Sequence, residues 1–372
     1  MTLLITGATG FIGRHVCAQL TQDHTLYAVL RQPDTQLPAL RQQIEALGGQ
    51  GKRLHALQGD LDRPGLGLPD DLPSLRAIIH LGARFAWQLD RDSAQRTNVA
   101  GSLAVAELAR RHGSRLVFIS GFMLENREHL QRLGIHNDDP EQVDWQGVYR
   151  RAGGYEASKL EAAIRVRALA AASDLELVEV QPATVAGHSR SGALDTSQPL
   201  FALLDNLARG RLAMVPGSPA HWLPLVAVDH LAALIAQAAT ADPVPPRLLA
   251  LDPATPNLQG LLAIAADPLG RRPPQRHLPI PVLAALLRLP GMPGLMNTWP
   301  EALHFIQPTR FDTSTTDAFL AQQRAEELLE QELPRVAAVE KSPGAEEGSG
   351  NENDFVPATA EEAPAAGFLE RR

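Results

Sequence analysis

The fold is decided by Leu3-Leu4-Ile5-Thr6-Gly7-Ala8-Thr9-Gly10-Phe11-Ile12-Gly13, close to the amino end of the 372-residue chain. This segment predicts a buried strand, a glycine-rich turn and the start of a helix. Gly7 suits a tight turn, Gly10 lets backbone amides approach an anion, and Gly13 lets the helix pack closely on the strand. Because unpaired N–H groups at a helix N-terminus favour negative charge, the segment predicts a site for the pyrophosphate of a dinucleotide. The residues expected to line this site are Gly7, Thr9, Gly10, Phe11, Ile12 and Gly13.

The same alternation of short apolar runs and longer amphipathic runs continues through the first half of the chain. Strands are predicted at residues 3–6, 25–30, 53–58, 77–80, 115–119 and 175–181, and helices at 11–20, 92–111 and 155–172. This pattern is typical of an α/β protein with a doubly wound parallel sheet, in which ligands bind at the carboxyl ends of the strands.

The second half predicts a smaller, mainly helical region followed by a tail. Helical spacing continues at residues 199–209, 228–239, 258–266 and 281–289, and Ser314 with Asp317 resembles a capping box that opens a last helix through about Leu333. We expect a dinucleotide-binding domain over 1–187, with a contribution from about 225–250, and a substrate-covering region over 188–334. The remaining 335–372 carries four basic and eight acidic residues and predicts a disordered acidic tail.

The composition excludes several classes of protein. Hydrophobic residues make up 44% of the chain and charged residues 20%, which suffices for a core and argues against a wholly disordered chain. The formal net charge of −8 leaves no broad basic surface, so no nucleic-acid partner is expected. The single cysteine, Cys17, cannot form an internal disulfide, which favours a reducing, cytoplasmic location.

Neither a membrane segment nor a metal site is expected. The first apolar residues lack the features of a signal peptide, and the most apolar later stretch, 278–296, is interrupted by Arg288 and four prolines. The twelve histidines are scattered without the spacing of metal ligands.

The end of the second predicted strand indicates which nicotinamide cofactor fits. An acid there would bind a free ribose 2′-hydroxyl, whereas an arginine pairs with a 2′-phosphate. Arg31 stands at this point and Arg41 follows on the next segment, so the sequence favours NADP(H). After the third and fourth predicted strands, Asp60-Leu61 and Leu81-Gly82-Ala83 are expected to border the adenine and the cofactor backbone.

A candidate proton donor lies on a later helix. Tyr155 and Lys159 are four residues apart, which places both side chains on one helix face. An ammonium near a phenol favours phenolate, so we expect Lys159 to lower the pKa of Tyr155 toward neutrality. A proton donor tuned in this way is what the reduction of a carbonyl requires.

Together these motifs resemble the extended short-chain dehydrogenase/reductases, and within them the fatty acyl-CoA reductase and thioester reductase branch. The segments that carry the closer resemblance are Gly59–Leu68, Arg31 with Arg41, Thr97–Gly101 and Val185–Arg190. The resemblance is strongest over residues 1 to 240 and weaker to about 330.

The resemblance implies an NADPH-dependent oxidoreductase in which hydride reaches a carbonyl carbon while Tyr155 protonates the oxygen. Lys159 would bind the nicotinamide ribose, and Asn98, Pro182 and Thr184 would border the cofactor or support the backbone around it. The family's serine or threonine donor aligns better with Gly121 than with Ser120, and Ser120 is taken as the substitute.

The expected substrate is a lipophilic carbonyl compound: an acyl thioester, an aldehyde or a ketone, free or bound to a carrier. The apolar residues proposed to form its wall are Leu200, Phe201, Leu203, Leu204, Trp222, Leu223 and the segment 283–289. Two alternatives stay open: a nucleotide-sugar epimerase or dehydratase on the same scaffold, and a catalytically silent NADP-binding regulator. A homodimer is also allowed for.

Overall fold

The computed structural model describes residues 1–326. Its strands are β1 (Thr2–Thr6), β2 (Thr25–Leu30), β3 (Leu54–Gln58), β4 (Ala77–His80), β5 (Arg115–Ile119), β6 (Leu177–Pro182), β7 (Thr184–Ala186), β8 (Val215–Pro216), β9 (Leu225–Ala227), β10 (Arg247–Ala250) and β11 (His277–Leu278). Its helices are α1 (Phe11–Leu20), α2 (Pro33–Ala46), α3 (Arg91–Ala94), α4 (Gly101–His112), α5 (Arg127–Leu133), α6 (Trp145–Ala152), α7 (Gly154–Ala171), α8 (Pro199–Ala208), α9 (Val228–Thr240), α10 (Leu258–Ala266), α11 (Ile280–Leu287), α12 (Met292–Met296) and α13 (from residue 314).

A seven-stranded parallel sheet forms the centre, in the order β10-β6-β5-β4-β1-β2-β3. The predicted doubly wound α/β fold is confirmed, and each of the six predicted strands lies within two residues of its predicted bounds. The sequence analysis missed the seventh strand, β10, because four residues that follow a proline-rich stretch carry too little periodicity.

Helices cover both faces of the sheet. Leu3 and Ile5 belong to the apolar core beneath α1, α2 and α9, whereas Leu4 belongs to the core beneath α4 and α7. This division follows from the alternation of side chains along a strand. The prolonged apolar character of the central strands is therefore explained by burial on two sides.

The predicted helix over 92–111 is interrupted. Between α3 and α4 the residues Gln95–Ala100 form a π-helical segment. Gly101 opens α4 where a Cβ would come within 3.0 Å of the Leu61 Cβ, so a larger residue would push this helix away from the loop after β3. Such π segments are frequent at functional sites, and this one carries Asn98.

The region after β7 contains short elements and its own apolar clusters. Helices α8 and α10 pack around Leu207, Leu258 and Leu262. The short strands pair as β7 with β9 and as β11 with β8. Residues 1–324 form one compact unit, and the boundary between 187 and 188 stays a prediction.

The predicted cap of the last helix is wrong by one residue. Thr313, not Ser314, precedes the first helical residue, and its hydroxyl donates to Asp317 Oδ2 at 2.7 Å. Ser314 instead donates to Asp312. The predicted end of this helix at Leu333 and the predicted tail 335–372 lie outside the described residues. None of the helices within 1–326 is both long enough and apolar enough to cross a bilayer.

A buried cluster ties the short helical segment Pro300–Phe305 to α7. Glu156 accepts from His129 Nε2 at 2.5 Å through one carboxylate oxygen and from His304 Nδ1 at 2.6 Å through the other. Burial alone would raise the pKa of Glu156, but the hydrogen bonds from the two histidines lower it to about 2. Burial opposes the charged form of His304, and the Glu156 carboxylate outweighs it and raises the pKa of His304.

We expect this cluster to make folding stability depend on pH. Since the pKa of His304 is raised in the folded state, its contribution is complete below its unfolded value near 6.5 and is lost as the pH rises through the folded value. The free energy of unfolding should therefore fall on the alkaline side of pH 6.5. Urea unfolding at a series of pH values tests this. His304→Gln should flatten that decline, while His230→Gln, at an exposed position, should leave it unchanged.

The two glycines around the first turn should differ in their effect on stability. A Cβ at Gly13 would overlap the carbonyl oxygen of Gly7, whereas a Cβ at Gly10 would stand 3.4 Å from that atom. Gly13→Ala should lower the free energy of unfolding by about 1–3 kcal/mol through overpacking, and Gly10→Ala by clearly less. Equal losses in urea unfolding would contradict the close packing of α1 on β1.

Candidate active site

The glycine turn after β1 brings three stretches of backbone together. Gly7 has a left-handed φ of 76°, and its carbonyl accepts the Gly10 N–H at 3.1 Å. A Cβ at Gly7 would lie 2.7 Å from the Gly82 nitrogen at the end of β4. The predicted roles of Gly7, Gly13 and Gly82 as points of close backbone approach therefore agree with the geometry.

The N-terminus of α1 is open toward the carboxyl edge of the sheet. Gly10 occupies the cap position with extended backbone, no side chain caps the helix, and no acid lies in its first turn. Thr9 and Gly10 are exposed, while Phe11 is buried and Ile12 is half-buried. The first N–H groups of α1 are thus unpaired by side chains, which fits a bound pyrophosphate.

The two arginines expected to hold a 2′-phosphate lie at opposite edges of the sheet. Arg31 directly follows β2 at the carboxyl edge and is exposed. Arg41 donates from Nε and Nη2 to the carbonyl of Leu54, at 3.2 and 2.7 Å. Leu54 begins β3 and pairs with Leu26 near the start of β2, so this is the amino edge. The prediction of Arg41 as a phosphate ligand is wrong, because α2 carries the residue away from the site.

The loop after β3 is folded back on itself. The Asp60 N–H donates to the Leu66 carbonyl at 2.8 Å, and Asp60 Oδ1 accepts the Asp62 N–H at 3.1 Å. Leu61 lies against the positions of Gly82 and Gly101, where any Cβ would approach it to about 3 Å. Leu61 thus lies against Gly82, which meets the glycine turn, and the expected contact of Asp60 and Leu61 with the adenine stays a prediction. Leu81 also contacts this turn, because its N–H donates to the Thr6 carbonyl at 3.3 Å, and Ala83 is exposed.

A directed chain of buried hydrogen bonds leads away from the turn. Thr6 Oγ1 accepts the Gly82 N–H at 3.2 Å and donates to His80 Nδ1 at 2.6 Å, because Ser102 gives its own proton to a carbonyl and must accept from the other ring nitrogen. His80 Nε2 then donates to Ser102 Oγ at 2.9 Å, and Ser102 donates to the Asn98 carbonyl at 2.5 Å. This order of donors assigns the proton of His80 to Nε2.

His80 is a buried, hydrogen-bonded residue beside the candidate site to which the sequence assigned no role. Burial lowers its pKa to about 3, and Lys159 adds to this effect. The imidazole is therefore neutral, and its two nitrogens can act as one acceptor and one donor. The signal available in the sequence was a histidine at the end of a wholly apolar strand.

Asn98 holds the backbone around the site. Its Oδ1 accepts the Arg84 N–H at 2.7 Å, and its Nδ2 donates to the Arg84 carbonyl and to Ser158 Oγ. Ser158 in turn donates to the Tyr155 carbonyl at 2.9 Å. Because Asn98 is 1% exposed and its amide is fully engaged, its expected place among the cofactor-binding residues is corrected to a supporting one.

Lys159 and Tyr155 project from the first turns of α7. Lys159 Nζ donates to the Ile119 carbonyl at 2.5 Å and lies 5.4 Å from the centre of the Phe118 ring. Burial lowers the pKa of Lys159 to about 8, although Glu179 opposes the change. The Tyr155 ring meets Phe85 edge to face at 4.6 Å.

The expectation that Lys159 lowers the pKa of Tyr155 is wrong. Burial, followed by the charge of Glu156, raises the pKa of Tyr155 to about 12. Lys159 does not offset this increase, because its ammonium is hydrogen-bonded to the Ile119 carbonyl at the end of β5. The phenol is therefore protonated at neutral pH and can act as a proton donor.

Ser120 follows β5 with its Oγ buried and without a hydrogen-bond partner among the described residues. The next residue, Gly121, is extended, and a Cβ there would meet nothing within 4 Å. The Ser120 hydroxyl is therefore available to hydrogen-bond to a ligand, and the space at position 121 would accept a side chain. At the end of β6, Pro182 is half-buried and Thr184 Oγ1 is buried without a partner among residues 1–326.

The residues of the expected apolar wall divide into two groups, and Phe201, Leu203 and Leu204 belong to the group that is exposed or half-buried. Leu200, Trp222, Leu223 and Leu283 are buried in apolar cores, so they do not line an open site. Beside Tyr155, a series of ring contacts instead joins Phe85, Trp87, Phe305 and Phe122. Phe85 and Trp87 follow β4 closely, in a chain that is only 5% aromatic. This local concentration of aromatic residues could have indicated the wall from the sequence.

The fold also brings together possible metal ligands where none were expected. One ligand atom each of His129, Glu156 and His304 lie within 4.8 Å of one another. The two hydrogen bonds at 2.5 and 2.6 Å are shorter than the roughly 3.3 Å that separates ligand atoms around a tetrahedral ion with bonds of about 2 Å. The cluster therefore fits hydrogen bonding better than metal coordination.

Comparison with known proteins places this geometry in a family. Residues 5–235 match the family model described as male sterility protein, a NAD-binding domain. The PKS-NRPS hybrid synthetase cheA of Chaetomium globosum is 29% identical over 246 residues, which cover 63% of this chain and 5% of the synthetase. The terminal R domain of the myxalamid PKS-NRPS pathway has a TM-score of 0.62 at 22% identity, covering 85% of this chain and 80% of that one. A thiolation-reductase di-domain of an archaeal non-ribosomal peptide synthetase has a TM-score of 0.57 at 17% identity, covering 73% and 76%.

At these identities the solved structures establish the fold, and this chain spans less than a tenth of the length of the first synthetases it matches. The family model covers more than half of the chain. The resemblance to the extended short-chain dehydrogenase/reductases is thereby confirmed. This chain belongs to the male sterility protein family of NAD-binding domains.

Proposed function

We propose that the chain is an NADPH-dependent reductase of a lipophilic acyl thioester or aldehyde that is presented on a carrier. The observation that carries this proposal is the set of groups at the carboxyl edge of the sheet. The Lys159 ammonium and Ser120 lie at the end of β5, the protonated phenol of Tyr155 precedes Lys159 by one turn of α7, and the open N-terminus of α1 follows β1 at the same edge of the sheet.

Support for NADP(H) over NAD(H) comes from Arg31. Its guanidinium follows β2 at the carboxyl edge and has no ion-pair partner within residues 1–326, so it is free to pair with a 2′-phosphate. Gln32, the next residue, is uncharged. The pyrophosphate would accept hydrogen bonds from the first N–H groups of α1, and Lys159 would bind the ribose of the nicotinamide.

When bound, the cofactor would supply a hydride to the carbonyl carbon. Tyr155 would give its phenolic proton to the carbonyl oxygen, and Ser120 would donate a hydrogen bond to that oxygen as negative charge develops. With a thioester, collapse of the resulting hemithioacetal releases the thiol and yields an aldehyde; with an aldehyde, the same step yields an alcohol. The phenolate that remains on Tyr155 would then regain a proton from solvent.

The substrate class is inferred from the aromatic wall and from the relatives. Phe85 and Trp87 give an acyl chain an apolar surface directly beside Tyr155. A thiolation-reductase di-domain is among the structures this chain resembles, and a carrier-bound thioester is the substrate that such an arrangement suggests. A catalytically silent NADP-binding regulator is the second candidate, and Gly121 at the family's donor position is the observation that favours it.

The two arginines give a matched test of cofactor choice. Arg31→Ala should weaken NADPH binding about tenfold or more, through loss of a charge-assisted contact, and should leave NADH binding nearly unchanged. Arg41→Ala should alter neither affinity. Titrations followed by NADPH fluorescence measure all four. Equal affinity of the unaltered chain for NADPH and NADH would contradict the assignment of Arg31.

The catalytic assignment predicts a graded series of activities. Tyr155→Phe should reduce NADPH consumption with long-chain acyl thioesters or aldehydes by about 10²–10⁴-fold, because it removes the proton donor. Ser120→Ala should reduce it by less, and Gly121→Ser should restore part of that loss in the double variant because the position has room. NADPH binding with no turnover across thioesters, aldehydes and ketones would favour the regulator instead.

A further inference from the structure

Lys159 has a charged neighbour across the sheet that the proposed reaction does not use. Its Nζ is bonded to the carbonyl of Ile119, and Ile119 pairs with Val180 in β6. On either side of Val180 stand Glu179 and Gln181, whose side chains share the opposite face of β6. That face is the one covered by α7, because Arg167 of α7 donates to Glu179 Oε2 at 2.7 Å.

Glu179 is a rare kind of residue in this position. It is 1% exposed in the middle of a parallel sheet, and one of its carboxylate oxygens has no hydrogen-bond partner among the described residues. It forms no salt bridge with Lys159, so it acts on the ammonium through space rather than by contact. Its other oxygen is paired with Arg167, so the carboxylate is buried with only half of its acceptor capacity used, which is costly.

We propose that Glu179 is a positioning residue that keeps the buried ammonium of Lys159 protonated, as a counter-charge shared between Lys159 and Arg167 beneath α7. The proposal rests on the role of Lys159 in the proposed function. It requires no contact of Glu179 with cofactor or substrate. Burial drives the Lys159 amine toward its neutral form, and the Glu179 carboxylate opposes this change.

Uncompensated polar atoms surround the same place. Ser120 Oγ, Glu179 Oε1 and both polar atoms of the Gln181 amide are buried without partners among residues 1–326. Buried polar groups in such numbers are normally satisfied by ordered water. A pocket of about 450 Å³ at the amino edge of the sheet is lined by Glu179 and Arg167 among other residues.

The remaining charges around Lys159 do not replace Glu179. On β4, His80 is neutral, and on α7 itself Tyr155 is protonated at neutral pH. Both carboxylate oxygens of Glu156 accept hydrogen bonds, one from His129 and one from His304. At the pocket, Asp138 lies 3.5 Å from Arg167 and so faces that guanidinium, and Arg247 has the opposite sign. Glu179 is thus the acid that raises the pKa of Lys159.

The small number of lysines allows a direct test. The chain contains three, Lys52, Lys159 and Lys341, so protein labelled with ¹³C at the lysine ε-carbon gives three signals, and Lys159→Arg identifies one of them. The pKa of Lys159 is then read from an NMR titration of the full chain without substrate or turnover. Glu179→Gln should lower that pKa by about one unit, as expected for loss of a nearby opposite charge.

Arg167→Gln is the matched control. It removes the other partner of the same carboxylate, so the pKa of Lys159 should stay unchanged or rise. Gln181→Glu adds a carboxylate to the same face and should raise it, which keeps the proposal testable if Glu179→Gln does not fold. An unchanged pKa in Glu179→Gln, equal decreases in both the Glu179 and Arg167 variants, or no rise in Gln181→Glu would overturn the proposal. A chain that fails as a reductase but shows these shifts would disprove the proposed function alone.

Discussion

The geometry of the site depends on close contacts between backbone segments at three glycines. The first helix can lie against the first strand only because Gly13 places no Cβ against the carbonyl of Gly7. Gly7 can meet the backbone after β4 only because it carries no side chain, whereas a Cβ at Gly82 would approach the side chains of Leu61 and Thr6. At α7 the same device recurs, since a Cβ at Gly154 would overlap the carbonyl oxygen of Leu89. Glycine at these points sets where the N-terminus of α1 and the start of α7 can stand.

Polar contacts then connect the glycine turn with the catalytic helix. The chain from Gly82 through Thr6, His80 and Ser102 ends on the Asn98 carbonyl, and the Asn98 amide continues through Ser158 to Tyr155. A protonated imidazole would have two donors and no acceptor, so it would break this order. Burial of His80 keeps it neutral and thereby preserves the link between the cofactor loop and the residue proposed as proton donor.

The sequence predicted those features that depend on local pattern. The bounds of α1 and α10 agree with the prediction. The parallel sheet followed from the alternation of strands and helices, and the close approach at Gly7 and Gly13 followed from their spacing. Arg31 was placed correctly at the carboxyl edge because it directly follows a strand, whereas the direction of the intervening helix decided the position of Arg41.

The failures concern long-range environment. The pKa of Tyr155 depends on burial and on which carbonyl holds Lys159, and neither can be read from a spacing of four residues. Likewise, Glu156 pairs with His129 of α5 and with His304, and these residues lie far apart in the chain. The aromatic wall and the proposed counter-charge at Glu179 also depend on contacts between segments that are far apart in the chain.

The most direct test of the account is a crystal structure of the full chain with NADP⁺. We expect density for the pyrophosphate at the backbone amides of Gly10 to Ile12. The 2′-phosphate should lie beside Arg31, and the nicotinamide should lie between Tyr155 and Ser120. Nucleotide bound elsewhere, or a 2′-phosphate remote from Arg31 with the phenol directed away from the nicotinamide, would contradict it.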